Sequence, residues 1–174
     1  MNFYNGYTPG ERQKKLRASY KLFPNHSHPY YQGSCHICSD PVGPVEPHSE
    51  DYSEPYLWEK PAEYAVCKTC HSRLHKRFKN PMGWQAYKLH LKRGGYGAEL
   101  KIPKFAQEIK SAAMALERGE SPKMVPIRPF AGDHLWWDSL TTDPASLTEA
   151  WARPRWGSCK HEGNEKKVKK NAWN

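Results

Sequence analysis

Apolar residues are thinly spread along this chain and recur at regular spacing in only a few places. Phe105, Ile109, Ala112 or Ala113, and Leu116 fall at helical spacing after Pro103, and Gly119 stops the run. The stretch WQAYKLHLKR puts Trp84, Tyr87 and Leu91 on one side and Lys88 and Lys92 on another, between Pro81-Met82-Gly83 and Gly94-Gly95. A third helix is predicted from about Thr69, with Leu74 and Phe78 at i, i+4 on one face. Upstream, Val42 to Glu46 reads as a short extended piece broken by Pro44, and Glu63 to Val66 as a short strand. The polar, proline-bearing stretch from Ser49 to Pro61 separates them. The predicted order is strand, loop, strand, helix, followed by two further helices, which makes the fold class α+β.

The flanks carry weaker patterns. In the basic run ERQKKLRASYKLF, Leu16, Tyr20 and Phe23 are close to helical spacing. The segment is either a short helix packed on the main domain or a basic arm, and its thin apolar face favours the arm. Beyond Glu120, SPKMVPIRP reads as a linker, and DHLWWDSLTTDPASLTEAWARPRW places aromatics between prolines, as an extended strap or short helical turns. The last residues, KHEGNEKKVKKNAWN, carry five Lys and have the composition of a disordered tail. Four regions result: a basic N-terminal arm over 1–31, a cysteine-bearing domain over 32–79, a helical extension over 80–119, and a Pro/aromatic-rich and basic tail over 120–174, partly disordered.

Composition narrows the class. With 174 residues, 15 Pro and 12 Gly and a mean hydropathy of −0.93, a core filling every position is not expected, since ordering each residue costs roughly 1–2 kcal/mol. Small cores of this kind need a staple such as a metal or disulfides. No stretch approaches the roughly 18 apolar residues of a membrane span, and MNFYNGYTPGERQKK has no apolar h-region, so a cytoplasmic, non-membrane protein is expected. There is no repeat and no sustained heptad.

Charge is unevenly placed within the net +9. From Asp40 to Glu63 there are seven acids against Lys60 alone; from His71 to Lys110 there are ten bases and two acids. A metal-assisted enzyme acting on a polyanion needs this pairing, because the metal wants carboxylate or imidazole surroundings and a phosphate backbone wants Lys and Arg.

Cys35-x-x-Cys38 and Cys67-x-x-Cys70 are 28 residues apart. Two such knuckles suit one tetrahedral structural zinc, since each turn aims two sulfurs at a common point. Two disulfides would use the same cysteines, but a reducing compartment disfavours them. A thioredoxin-like redox pair would require a βαβ context that neither knuckle has. Cys159, in the tail, reads as a free thiol, and His36 as a surface residue.

Between and after the knuckles, His48 precedes Glu50-Asp51-Tyr52-Ser53-Glu54-Pro55, and Cys67/Cys70 are followed by His71 and His75. Over about residues 33–78 this resembles the HNH (ββα-metal) endonucleases, particularly the small zinc-stabilised forms common in bacteriophages. The resemblance implies a ββα-metal domain and metal-dependent cleavage or nicking of DNA phosphodiester bonds. It implies His48 and His71 as catalytic residues, His71 and His75 as candidate ligands of a catalytic Mg²⁺ or other divalent ion, and Arg73, Lys76, Arg77 and Lys79 as the basic helix along the DNA. DNA is the implied partner, with no small-molecule cofactor.

The sequence departs from the pattern of that family in two places. The usual adjacent pair is here His48-Ser49 behind Pro47. In one register His48 is a metal ligand and Ser49 replaces the general base; in the other His48 is the base and a ligand must come from Glu46, Glu50 or Asp51. The middle Asn is absent, with Glu63 or Tyr64 near its place. A catalytically degenerate, zinc-held nucleic-acid-binding protein is therefore the alternative, and a protein that docks a partner through Trp136-Trp137 and Trp151 is a third reading.

Overall fold

The computed structural model describes residues 3–130 and 136–148; Trp151 and Cys159, together with most of the proposed basic tail, lie outside them. Its centre is an antiparallel pair, β1 (Val45–Ser49) with β2 (Glu63–Cys67), in the register His48↔Tyr64 and Ser49↔Glu63. β1 begins three residues later than the hydrophobic pattern predicts and contains Pro47, tolerable because both strands of a two-stranded sheet are edges. β2 is buried at all five positions. Its last residue, Cys67, is also the N-cap of α2 (Lys68–Lys76), so strand passes directly into helix with no loop between.

Two more helices complete the body. α3 (Pro81–Lys92) starts at Asn80, whose Oδ1 accepts from the Gly83 amide at 2.6 Å, with Pro81 in the first turn where its missing N–H costs nothing. Gly94, at φ +85°, ends it. α4 (Pro103–Glu117) turns back onto α3 and buries Ile109, Ala112 and Ala115. Leu74 of α2, Trp84, Tyr87 and Leu91 of α3, and Ala65 and Val66 of β2 form one core with the four cysteines. Lys88, expected on an outer face, is instead mostly buried and reaches Asp138 at 2.9 Å. The chain is thus α+β with a two-stranded sheet and a central cysteine cluster.

Two expectations change. Residues 9–22, within the expected arm, form helix α1 (Pro9–Leu22). Thr8 and Glu11 make a reciprocal capping box around Pro9, so the N-terminus is satisfied locally and the thin apolar face does not have to carry the helix alone. The residues before it, Tyr4, Asn5 and Tyr7, are buried, Tyr4 against His48 of β1 and Asn5 and Tyr7 against the loop that follows it. The second concerns the aromatic strap. Trp136 stacks on Tyr64 with ring centroids 3.6 Å apart and planes 5° apart, and its indole N–H donates to the His36 carbonyl at 3.0 Å. Trp137 is fully buried against Trp84. These tryptophans are core residues of this chain, which removes them as a docking surface.

Candidate functional site

Two clusters of metal-ligating side chains flank the strand-to-helix junction: Cys35, Cys38, Cys67 and Cys70, and His48, His71 and His75. In each, the ligand atoms lie within 4.8 Å of one another.

All four cysteines are reduced and buried. Cys38 Sγ lies 4.0 Å from Cys67 Sγ, close to the edge of about 3.8 Å that a tetrahedral Zn–S bond of 2.3 Å would give. Hydrogen bonding from Cys38, Cys67 and Cys70 pulls the Cys35 thiol down, whereas burial pushes Cys70 up. Four neighbouring sulfurs of this kind cannot all ionise without a cation among them. Gly97 packs closely on the sulfurs: a Cβ there would sit 3.0 Å from Cys67 Sγ and 3.2 Å from Cys70 Sγ. The Cys67 amide donates to Cys35 Sγ at 3.3 Å, and the Tyr87 hydroxyl lies 3.1 Å from Cys70 Sγ. The four cysteines therefore form a closed site able to hold a metal ion such as zinc.

The histidines come from different elements. His48 is the fourth residue of β1; His71 and His75 share a face of α2 at i, i+4. Ring centroids are 4.8 Å apart for His48–His71, 5.1 Å for His48–His75 and 4.6 Å for His71–His75. The Nε2 atoms of His71 and His75 are separated by 2.8 Å; two nitrogens bound to one ion at 2.1 Å would be roughly 2.9–3.4 Å apart. The rings line a cleft of about 210 Å³ with Arg12 and Ser19 of α1, Pro47, Tyr52 and Trp58.

Each of two rings is oriented by a carboxylate. His48 Nε2 lies 2.6 Å from Glu50 Oε1 and 3.2 Å from the Tyr4 hydroxyl; His71 Nδ1 lies 2.5 Å from Glu46 Oε1. A proton on the nitrogen that faces the carboxylate leaves the other nitrogen as a lone pair, the arrangement common behind metal-ligating imidazoles. Burial opposes ionisation of Glu50, but the Arg77 guanidinium, with His48 and Tyr4, brings its pKa down to about 2, so the carboxylate is charged. Burial, with the charges of His71 and Arg77, lowers His48 to about 4 against the pull of Glu50. Burial and the neighbouring His48 and His71 lower His75 to about 2. His48 and His75 are thus neutral near pH 7 and available as donors.

The expected DNA-binding set divides. Lys76 and Lys79 are exposed and Arg73 is half-buried. Arg77 is fully buried and is a framework residue: Nη2 lies 3.1 Å from Glu50 Oε2 and donates to Asn5 Oδ1 at 2.7 Å, and Nη1 donates to the Tyr4 hydroxyl at 2.6 Å. It faces inward because α2 ends at Lys76 and its C-terminal side packs on the N-terminal segment. Ser49, expected in one register to stand in for a base, donates to Glu63 Oε2 at 2.8 Å. Glu63 also lies 3.3 Å from Lys15 Nζ and 2.8 Å from His28 Nε2, so all four are committed to one another.

Sequence reasoning missed Tyr4, Asn5 and Lys15. Lys15 is buried and donates to the carbonyls of Asp51 and Leu57, both at 2.9 Å, pinning the loop between the strands. Tyr7 adds a bond to Asp51 Oδ1 at 2.6 Å. The available signal was the Thr8-Pro9-Gly10-Glu11 box, which marks a helix start and so places residues 4–7 at a fixed entry to it. His36 is half-buried, with Nδ1 accepting from the Ala65 amide at 3.0 Å, and is not a free surface residue. No helix among the described residues is long and apolar enough to cross a membrane. No protein-family model, curated protein or solved structure matches this chain.

Proposed function

We propose that this chain is a metal-dependent endonuclease of the HNH (ββα-metal) type, which nicks DNA at the histidine cleft while zinc on Cys35, Cys38, Cys67 and Cys70 holds the fold. The observation that carries the reading is the convergence of His48, His71 and His75, from a strand end and the helix that follows the second strand, in an open cleft. The donor set does not suit Mg²⁺, which prefers oxygen ligands in a near-octahedral shell; three imidazoles suit Zn²⁺, Co²⁺, Ni²⁺ or Fe²⁺ better. Held by His48, His71 and His75, a divalent ion would supply Lewis-acid neutralisation of charge on the phosphate. The chain's own part is positional. Glu46 and Glu50 fix the tautomers of His71 and His48, and Tyr4, Asn5 and Arg77 fix Glu50. Exposed Lys76 and Lys79 offer charge to the DNA backbone beside the cleft.

The hydrogen bond of Ser49 to Glu63 supports the alternative, a zinc-held DNA-binding protein without chemistry, because it ties up the hydroxyl beside His48. Supercoiled plasmid separates the two. With added Co²⁺, Ni²⁺ or Mn²⁺, nicking should appear and fall by about 100-fold or more in His71→Ala and His48→Ala, a loss on the scale of a working electrostatic group. Binding without nicking under every one of these ions would establish the alternative.

A further inference from the structure

Beside the histidine cleft lies a second pocket, of about 370 Å³, walled by Ser19, Tyr20, Phe23, His26, Tyr31 and Pro47 among others. Ser19 and Pro47 also line the histidine cleft, so the two cavities share a rim one residue from His48. We propose that this pocket receives an unpaired DNA base next to the phosphate held at the histidines, making single-stranded or locally unpaired DNA the preferred substrate class. The inference rests on the nuclease reading for the phosphate and adds the recognition of the base.

Four observations carry it. Tyr20 and Tyr31 are 61% and 37% exposed, so one aromatic side chain at the pocket is mostly uncovered and a second partly so. The His26 ring meets Tyr31 edge-on at 5.2 Å, with Nδ1 3.3 Å from its hydroxyl, and fixes its orientation. Asn25 and His26, both lining the pocket, adopt positive φ at +53° and +57°, where the chain turns sharply between α1 and the segment that carries Tyr31. The lining contains no Asp, Glu, Lys or Arg. A neutral planar group with a hydrogen-bonding edge fits such walls; a free phosphate or a cation does not. In a duplex the base faces are covered by stacking, so only an unpaired or extruded base can enter.

The test is binding without cleavage: fluorescence anisotropy of the zinc-loaded full chain with a short single-stranded oligonucleotide and its paired duplex, with no other divalent ion added. The single strand should bind more tightly. Tyr20→Ala and Tyr31→Ala should each weaken single-strand binding by about 5- to 150-fold, the range for loss of one base–aromatic stack, and leave duplex binding unchanged. Tyr20→Phe and Tyr31→Phe should bind as the parent does, since the ring remains. An abasic oligonucleotide should bind parent and Ala variants alike. Because both tyrosines are exposed, an unchanged melting midpoint is expected and checks folding. Equal affinity for both DNA forms, or single-strand binding untouched by both Ala variants, would overturn the proposal. A protein that never nicks plasmid but shows the tyrosine-dependent preference would keep the base pocket and lose only the nuclease.

Discussion

The cysteine and histidine clusters stand on either side of the same strand-to-helix junction and are built on opposite plans. The cysteines are closed in: the turn of Cys35 and Cys38 and the strand-to-helix junction of Cys67 and Cys70 supply the donors, all four are buried, and Gly97 and Tyr87 lie against the sulfurs. The histidines open onto a cleft, and their support comes from several places in the chain: Tyr4 and Asn5 at one end, Glu46 within β1 and Glu50 just after it, and Arg77 beyond α2. A closed sulfur site serves a fold, because its donors have no vacant direction; an open imidazole site with carboxylates behind it can serve chemistry. Since Cys67 and Cys70 sit immediately before His71, the first site sets the geometry of the second. The dependence runs one way, and substitutions can expose that.

The largest effect is expected at Cys67, which ends β2 and caps α2. Cys67→Ser should reduce zinc from about one ion per chain to near none and abolish the cooperative thermal transition, because structural zinc contributes on the order of 10 kcal/mol to domains of this kind. Zinc content by mass spectrometry and circular dichroism measure both. A folded, zinc-free Cys67→Ser protein would break the claim that the sulfur site underlies the other. Next comes Arg77→Met. It leaves Glu50 charged and buried without its guanidinium partner, at a cost of about 3–5 kcal/mol. Adding Glu50→Gln should recover much of that stability in denaturant titration while leaving metal binding at the histidines impaired. A loss below about 1 kcal/mol in Arg77→Met, the scale of an exposed pair, would mean that the framework around His48 is looser than its distances indicate.

The two sites were also unequally legible. The cysteine site is encoded locally: C-x-x-C is a turn with two sulfurs aimed one way, and two such turns leave few geometries. Helices α2, α3 and α4 were readable for a similar reason, since apolar spacing, and for α3 and α4 the Pro and Gly boundaries, are local signals. The grouping of His48 with His71 required a strand register, and β1 lies three residues from where apolar periodicity alone places it, because Pro44 and Pro47 blur the alternation. The second layer was not legible at all. Arg77 reads as one more base on a basic helix, and only the tertiary position of Tyr4 and Asn5, more than seventy residues away in sequence, turns it inward. Likewise Trp136 and Trp137 look like an exposed aromatic patch until Tyr64 and Trp84 are placed beneath them.

The smallest and most discriminating change is Glu46→Gln. Glu46 is 46% exposed, and its partner His71 is 24% exposed, so solvent screens the pair and its removal should cost little stability. The amide still accepts a hydrogen bond from Nδ1, but it no longer places a negative charge behind the ring. Loss of such an outer partner usually costs 10- to 100-fold in metal affinity; with the screening, about 10-fold is expected here. Titration of the zinc-loaded chain with Co²⁺, followed by the visible absorption of the bound ion, measures it. Zinc content and melting midpoint should stay at parent values, since Glu46 reaches His71 and touches none of the four sulfurs. If Co²⁺ affinity were unchanged while zinc was lost, the roles assigned to the two clusters would have to be exchanged. Weaker Co²⁺ binding with zinc retained would place His71 in the open site and show that the two clusters bind metal separately.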